Sequence, residues 1–486
     1  MSLDSQSLVR NTRPHQRRSL VAISLASALA WAASSHAATL CVDQKGAPGC
    51  VKTIAAAVTA AAPGDTIQVN PGFYHEDIVI TQSLSLVGQG PSSTIIDASG
   101  LSNGVFIDGY DNAGLSQVIV TGFTIQNANF EGVLVQNVLD ATIFGNVVRS
   151  NDQSLQSSIS DCPGLPSFET NEGSDCGQGI HLMGVDHSTV SFNDVEQNAG
   201  GILVSDETDT SHDNVITRNF VMNNTYNGGI TLASDPVYLT TGNTKLAFGV
   251  YDNTVSNNDS IHNGFGGGAG GAGIGLYAPG AGNRVYANSI VGNRLIGNSL
   301  SGIAVHNNAN FSSSAAPPNP DVNDNTIAGN YIAGNGPDPV ASTNVPTGIS
   351  IFGLTPVVDL VVEDNVIEDE GIDVAMNSAS TLNLHLNALT GNSVGVANLN
   401  SSGQVNAREN WWGCSGGPGA QGCSTISGDP KSVVYTPWLG WSNSWANRHD
   451  HDHDNDCDHD VDDDHDHDGW GNQNNSGGNQ NNGGHW

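Results

Sequence analysis

Two sets of residues in this 486-residue chain carry side chains whose types and spacing suggest chemistry. The denser set lies near the end, where His449, His451, His453, His459, His465 and His467 alternate with aspartates and Cys457 sits among them. Imidazoles at that density coordinate Zn²⁺, Ni²⁺ or Cu²⁺, and the intervening carboxylates attract any divalent cation. Their spacing is not that of a closed structural zinc site. The expectation is loose, buffering coordination by a flexible segment, with a merely solubilising acidic tail as the alternative. Metal held there would not imply metal catalysis in the rest of the chain.

The second set is spread along a repeated phrase: glycine, Ile or Val, any residue, then an aliphatic. It begins at Gly132, Gly179, Gly201, Gly229, Gly273, Gly302, Gly348 and Gly371, and more weakly at Gly395. The phrase alternates with period two, so the aliphatics point one way and their neighbours the other. One outward column is then Leu134, His181, Leu203, Thr231, Gly275, Ala304, Ser350 and Asp373. The next is Gln136, Met183, Ser205, Ala233, Tyr277, His306, Phe352 and Ala375. His181, Thr231, Tyr277, His306, Phe352 and Asp373 are the expected substrate-binding residues. Aromatic rings beside polar groups suit a glycan, whose ring faces stack while its hydroxyls hydrogen-bond. The alternative is a set of outward side chains covered by loops. His181 and Asp373 are too many repeats apart to form an acid–base pair.

Catalysis would need more. Arg218, Arg284 and Arg294 are candidates for neutralising a uronate carboxylate, and an inverting hydrolase needs two carboxylates about 6.5–9.5 Å apart. Acidic residues cluster at Glu363, Asp364, Glu368, Asp369, Glu370 and Asp373, and at Asp206, Glu207, Asp209 and Asp213. These clusters read more simply as solvated turns or weak Ca²⁺ sites on the body. No cofactor is required by anything in the sequence.

The elements that must position these residues follow from the repeat. Its closest spacings are about 22 to 24 residues, and a fixed period of that size marks a solenoid whose units bury their core only against neighbours. A second phrase, Asn-x-aliphatic, recurs at Asn193, Asn214, Asn253, Asn283, Asn288, Asn325, Asn365, Asn387 and Asn392. Asn and Gly tolerate left-handed backbone, so both phrases predict short strands with sharp corners. With these repeats the chain resembles the right-handed parallel β-helix, or pectin-lyase-like, superfamily from about Thr53 to Trp441. The resemblance implies a single all-β solenoid, and the fold hosts both enzymes and binding proteins. Gly72-Phe73-Tyr74-His75-Glu76 echoes a pectin methylesterase element, though a shared structural turn is the better reading. The acid phrases of those esterases are missing, as are the Gly-His-Gly and Arg-x-Lys phrases of polygalacturonases and the Asp-Pro-His of alginate epimerases.

Long insertions at residues 151–178, 264–272 and 335–347 precede repeat strands, and those at 234–248 and 307–320 follow them. Together they are expected to wall a groove whose floor is the stack of Gly-Ile strands. An Ala-rich helix over residues 53–62 should plug the first coil, and Trp411 and Trp438 should cap the last. Stacking of either Trp on sugar is the alternative.

The ends complete the organisation. Arg10, Arg13, Arg17 and Arg18, an apolar run over 20–33 and Ser35-His36-Ala37 read as an export signal over 1–37. Residues 38–447 form the β-helix, 448–468 the His/Asp tail and 469–486 a Gly/Asn-rich tail; neither tail can bury a core. No segment after the signal reads as membrane-spanning. Six of the seven cysteines fall into local pairs, Cys41 with Cys50, Cys162 with Cys176 and Cys414 with Cys423, which fits an oxidising compartment. A formal charge of −34 argues against nucleic acid as a partner. The sequence therefore suggests a secreted, extracellular or periplasmic protein binding extracellular polysaccharide and divalent metal. A polysaccharide lyase, hydrolase or epimerase is one alternative, and a periplasmic metal-handling β-helix is another.

Overall fold

The structure is a computed structural model that describes residues 37–151, 177–234, 248–266, 271–280, 282–308, 322–391 and 393–440. Residues 1–36 of the expected 1–37 export signal, the Cys162–Cys176 pair, both tails and the six tail histidines lie outside the described residues.

The chain winds into successive coils, each contributing short strands to three long, wholly parallel sheets of 14, 12 and 11 strands. A further sheet of four two-residue strands widens the coils that begin at Ser211–His212, Val250–Tyr251, Val285–Tyr286 and Val322–Asn323. Strand Gln178–Met183, for example, is followed by Thr189–Ser191 in the 14-stranded sheet and Asp194–Glu196 in the 11-stranded one. The chain then returns to the 12-stranded sheet at Gly200–Ser205. Inward aliphatics of all three sheets meet along the axis, so Ile180, Val190, Val195, Ile202, Ile216 and Val221 are fully or almost fully buried in one continuous core. Among the described residues no helix is long and apolar enough to cross a membrane.

The glycine of each repeat is required by stacking rather than by backbone conformation. A Cβ on Gly201 would sit 2.1 Å from the Gly229 carbonyl oxygen of the next coil and 2.4 Å from Cγ1 of Val221. No side chain fits between coils at that point. Successive coils therefore carry glycine in one column through Gly132, Gly179, Gly201, Gly229, Gly273, Gly302 and Gly348.

That column corrects the expected register of one repeat. Ile349 pairs with Val374 and Ser350 with Ala375, which sets Asp373, not Gly371, opposite Gly348. Asp373 therefore stands in the glycine column, and Ala375 and Asn377 take the two outward columns. A glycine before a β-branched residue looks the same in sequence whether or not it faces the neighbouring coil, and only the pairing distinguishes them.

The asparagines also behave differently from the expectation. They are not the left-handed corner residues; the residue before them is, as at Asp213 (φ 55°), Arg218 (φ 55°), Asn257 (φ 55°) and Leu386 (φ 60°). That corner turns the following asparagine inward, where it is buried and hydrogen-bonds to the asparagine of the next coil. One ladder runs through Asn146, Asn193, Asn219, Asn258, Asn293, Asn330, Asn365, Asn387 and Asn410. A second runs from Asn151 to Asn335 and ends on Glu370, and a third links Asn214, Asn253, Asn288 and Asn325. Asn283 belongs to none of them, and Asn392 lies outside the described residues.

Both ends are closed. A first strand, Thr39–Val42, which the sequence did not suggest, pairs with Asp65–Val69. The helix forms over Ile54–Ala60, N-capped by Thr53, and buries Ile54, Ala57 and Val58. Glu76 accepts hydrogen bonds from the free amides of Ile54 and Ala55 at 3.0 and 2.9 Å, while buried Tyr74 donates to the Asn70 carbonyl. The Gly72–Glu76 segment is thus a structural clamp on the helix start. At the other end it is Trp412, fully buried, that fills the last coil; Trp438 packs, partly buried, against the core and donates Nε1–H to the Ser415 carbonyl. Cys41–Cys50 and Cys414–Cys423 are disulfide-bonded, one beside each cap.

Candidate functional site

The 12-stranded sheet carries the Gly-Ile strands, and its outward side chains bear most of the polar chemistry. Pairing of Ala233 with Tyr277, Tyr277 with His306 and His306 with Phe352 sets the last three side by side on successive strands. Tyr277 and Phe352 are half-buried, and His306 is 8% exposed. The His306 and Phe352 rings meet edge to face at 6.1 Å.

His306 is held by a residue that sequence reasoning missed. Its Nε2 lies 2.7 Å from Oδ2 of Asp338, which is fully buried in the insertion before strand Thr347–Gly353. The same oxygen accepts from the Ser350 hydroxyl, and Ser301 and Ser350 hydroxyls lie 2.7 Å apart. Asp338 Oδ1 accepts from the amides of Val340 and Ala341, so its own loop fixes it. Burial alone would push the Asp338 carboxyl up. Its hydrogen bonds and the His306 charge outweigh that and hold it below the usual carboxylate range. This insertion therefore does wall the sheet, and it does so through one carboxylate. The insertion's position before a Gly-Ile strand was legible; which of its residues reaches His306 was not.

Further along the sheet the outward columns are closed. His181 is fully buried, with Nδ1 3.4 Å from Glu131 Oε1, and Nε2 2.9 Å from Ser205 Oγ and 3.7 Å from Glu207 Oε1. Both carboxylates are themselves buried. Leu134 and Leu203, its partners on the neighbouring strands, are at most 1% exposed. The expected open floor thus narrows to the stretch from half-buried Thr231, opposite Gly275, to Phe352. His181 belongs to an enclosed polar cluster instead, and Asp373 is fully buried in the glycine column. Glu131 and Glu207 adjoin repeat strands, so adjacency to His181 in register was the available signal.

Most members of the acidic clusters are engaged by the protein. Asp206 accepts from Ser234 Oγ and the Gly249 amide, Glu363 pairs with His385 at 2.8 Å, and Glu368 accepts from the Tyr331 hydroxyl. Arg284 donates to the Phe248 carbonyl and lies over the Tyr286 ring, while Arg218 lies over Phe192. Arg294 lies 3.8 Å from Asp259, and none of these contacts is with the Tyr277–Phe352 stretch.

The family model for a right-handed β-helix region matches residues 103–290. The chain folds as a right-handed parallel β-helix. Among solved structures, this β-helix is similar to the Dettilon tailspike protein at 15% identity and a TM-score of 0.51, covering 78% of this chain and 65% of the tailspike. It thus spans less than two thirds of that protein's length. The A-module of the Azotobacter vinelandii mannuronan C-5 epimerase AlgE4 superposes at 15% identity and a TM-score of 0.44, covering 73% and 94%. The tailspike of E. coli bacteriophage HK620, solved with a pentasaccharide, superposes at 12% identity and 0.42, covering 76% and 67%. No curated protein matches the sequence.

Proposed function

We propose that this β-helix is an exported protein that binds an extracellular polysaccharide across the 12-stranded sheet, between Thr231 and Phe352. The observation that carries the reading is the Tyr277–His306–Phe352 row, with His306 held by buried Asp338. Half-exposed aromatic edges offer apolar contact to sugar rings. With Nε2 committed to Asp338, Nδ1 of His306 is the nitrogen left to meet a sugar hydroxyl. The pair is pre-ordered, so little side-chain entropy is lost on binding. The net negative charge directs the choice toward neutral glycans, or toward acidic ones only with a bridging cation. The His449–His467 segment is proposed to take up Zn²⁺, Ni²⁺ or Cu²⁺ independently of the groove.

Tyr277→Ala and Phe352→Ala are each expected to weaken retention on an immobilised glycan about fivefold, roughly 1 kcal/mol. Affinity electrophoresis across a polysaccharide panel measures it, and retention unchanged in both variants removes the groove from consideration. A catalytic reading is favoured by one observation, the His306–Asp338 pair, which has the form of an oriented base. Its β-elimination version would release unsaturated sugars, detected by ultraviolet absorbance during incubation with the same panel. Retention without such release excludes the β-elimination version and supports binding.

A further inference from the structure

Away from the groove, where the 14-stranded sheet meets the short four-stranded one, two histidines and two aspartates from adjacent coils converge. Asp186 and His212 form a parallel bridge, which places His187 beside Asp213 one residue on. One nitrogen or oxygen atom each from His187, His212 and Asp213 lies within 4.8 Å of the other two. His212 Nδ1 is 2.7 Å and His187 Nε2 3.7 Å from the same Asp213 Oδ2. On the far side of the His212 ring, Nε2 lies 3.2 Å from Asp186 Oδ1. The His212 ring stacks at 4.7 Å on Tyr251, which stacks at 4.8 Å on Tyr286, so its plane is fixed by packing.

We infer that His187, His212 and Asp213 form a cation site on the body of the protein, selective for Zn²⁺ and similar borderline metals over Ca²⁺. Two imidazoles and one carboxylate are a ligand set that suits Zn²⁺, Co²⁺, Ni²⁺ or Cu²⁺ and disfavours hard, oxygen-seeking Ca²⁺. Nδ1 of His212, Nε2 of His187 and Oδ2 of Asp213 are the ligating atoms. Small rotations bring them to the roughly 2.0–2.2 Å metal–ligand distances of such sites. Asp186 is the positioning residue. Without metal, His212 Nδ1 hydrogen-bonds Asp213 Oδ2. When metal takes that place, the Asp186 Oδ1 3.2 Å from Nε2 favours the tautomer that keeps its proton on Nε2 and turns the Nδ1 lone pair to the metal, as the outer carboxylate of a ligating imidazole does. Side-chain exposures of 57% for His187 and 48% for Asp213 leave the site open to solvent, with a fourth position for water. The three ligands come from two successive coils, so metal here ties one coil to the next. The site stands apart from the groove and does not depend on the glycan reading.

The test uses the full chain, because the tail histidines contribute equally to wild type and variants. Zn²⁺ is expected to raise the melting temperature of the wild type, and His187→Ala to abolish that rise while melting normally without metal. Asp186→Asn should raise the half-saturating Zn²⁺ concentration about tenfold. Ca²⁺ at the same concentration should leave the melting temperature where it was. Anomalous diffraction from Zn²⁺-soaked crystals should place an ion against His187 Nε2. A wild type whose melting is indifferent to Zn²⁺, or a rise that survives in both His187→Ala and His187→Gln, overturns the site. Retention of glycan by His187→Ala should equal that of the wild type, which separates this result from the groove.

Discussion

Asn258→Ala should destabilise the coil stack by about 3–5 kcal/mol, the largest effect expected from a single polar substitution in this chain. Asn258 is 1% exposed in the middle of the longest asparagine ladder. Its Oδ1 accepts from both the backbone amide and Nδ2 of Asn219 at 2.9 and 3.0 Å. Its Nδ2 donates to the Ile216 carbonyl and to Asn293 Oδ1 at 2.9 and 3.0 Å. Alanine removes all four bonds and restores none of them with water, because the position is sealed between coils. The Asn219 amide and the Ile216 carbonyl lose these partners in a low-dielectric interior, where each such loss costs about 1–3 kcal/mol. Chemical denaturation read by far-ultraviolet circular dichroism measures the shift. Asn258→Asp should be at least as damaging, since aspartate keeps the acceptor, loses both donations and buries a charge. A cost under 1 kcal/mol for both variants would mean that the ladder is incidental to stability.

Glu370→Gln should stabilise the protein at pH 8 by about 2–3 kcal/mol and change little at pH 4. Glu370 ends the second ladder, where Oε1 accepts from the amide and Nδ2 of Asn335 at 3.0 and 2.9 Å. Burial pushes its carboxyl from 4.5 up to about 7, with Asp369 nearby adding to the rise and the Asn335 bonds opposing it. The folded state therefore holds the proton to a higher pH than the unfolded chain does. The stability this contributes is complete below about pH 4.5 and is lost as pH rises through about 7, amounting to roughly 3 kcal/mol by pH 8. Glutamine offers the same acceptor and the shape of the protonated acid, so its stability should stay level over that range. Asp194, raised to about 6 mainly by burial, adds a loss of the same sign in both proteins, so their difference isolates Glu370. Parallel pH profiles for wild type and variant would show that Glu370 is not the titrating group.

Both effects depend on interior columns, and those columns show where sequence reading ends. The Gly-Ile phrases were visible as a period because stacking excludes a side chain at one point of every coil, a demand local enough to recur in sequence. Asn-x-aliphatic recurred for a comparable reason, yet its meaning was missed: the left-handed corner belongs to the preceding residue, and the asparagine turns inward to bond its counterpart. That bond joins residues 39 positions apart at Asn219 and Asn258 but 26 apart at Asn193 and Asn219, so no fixed spacing reveals it.

Tyr277, His306 and Phe352 were found from period-two alternation, because side-chain direction along a strand is set by the backbone alone. Asp338 and Glu131 were not, and Glu207 was read only as part of an acidic cluster, since each reaches its histidine from outside the alternating stretch or across coils. Asp373 was misplaced because a glycine two residues early imitates the repeat, and only strand pairing sets the register. The sequence by itself determined the repeat, the winding into coils and which strands carry the polar face. Tertiary structure decided which polar residues meet, because loops of unequal length bring together side chains whose separation along the chain carries no period.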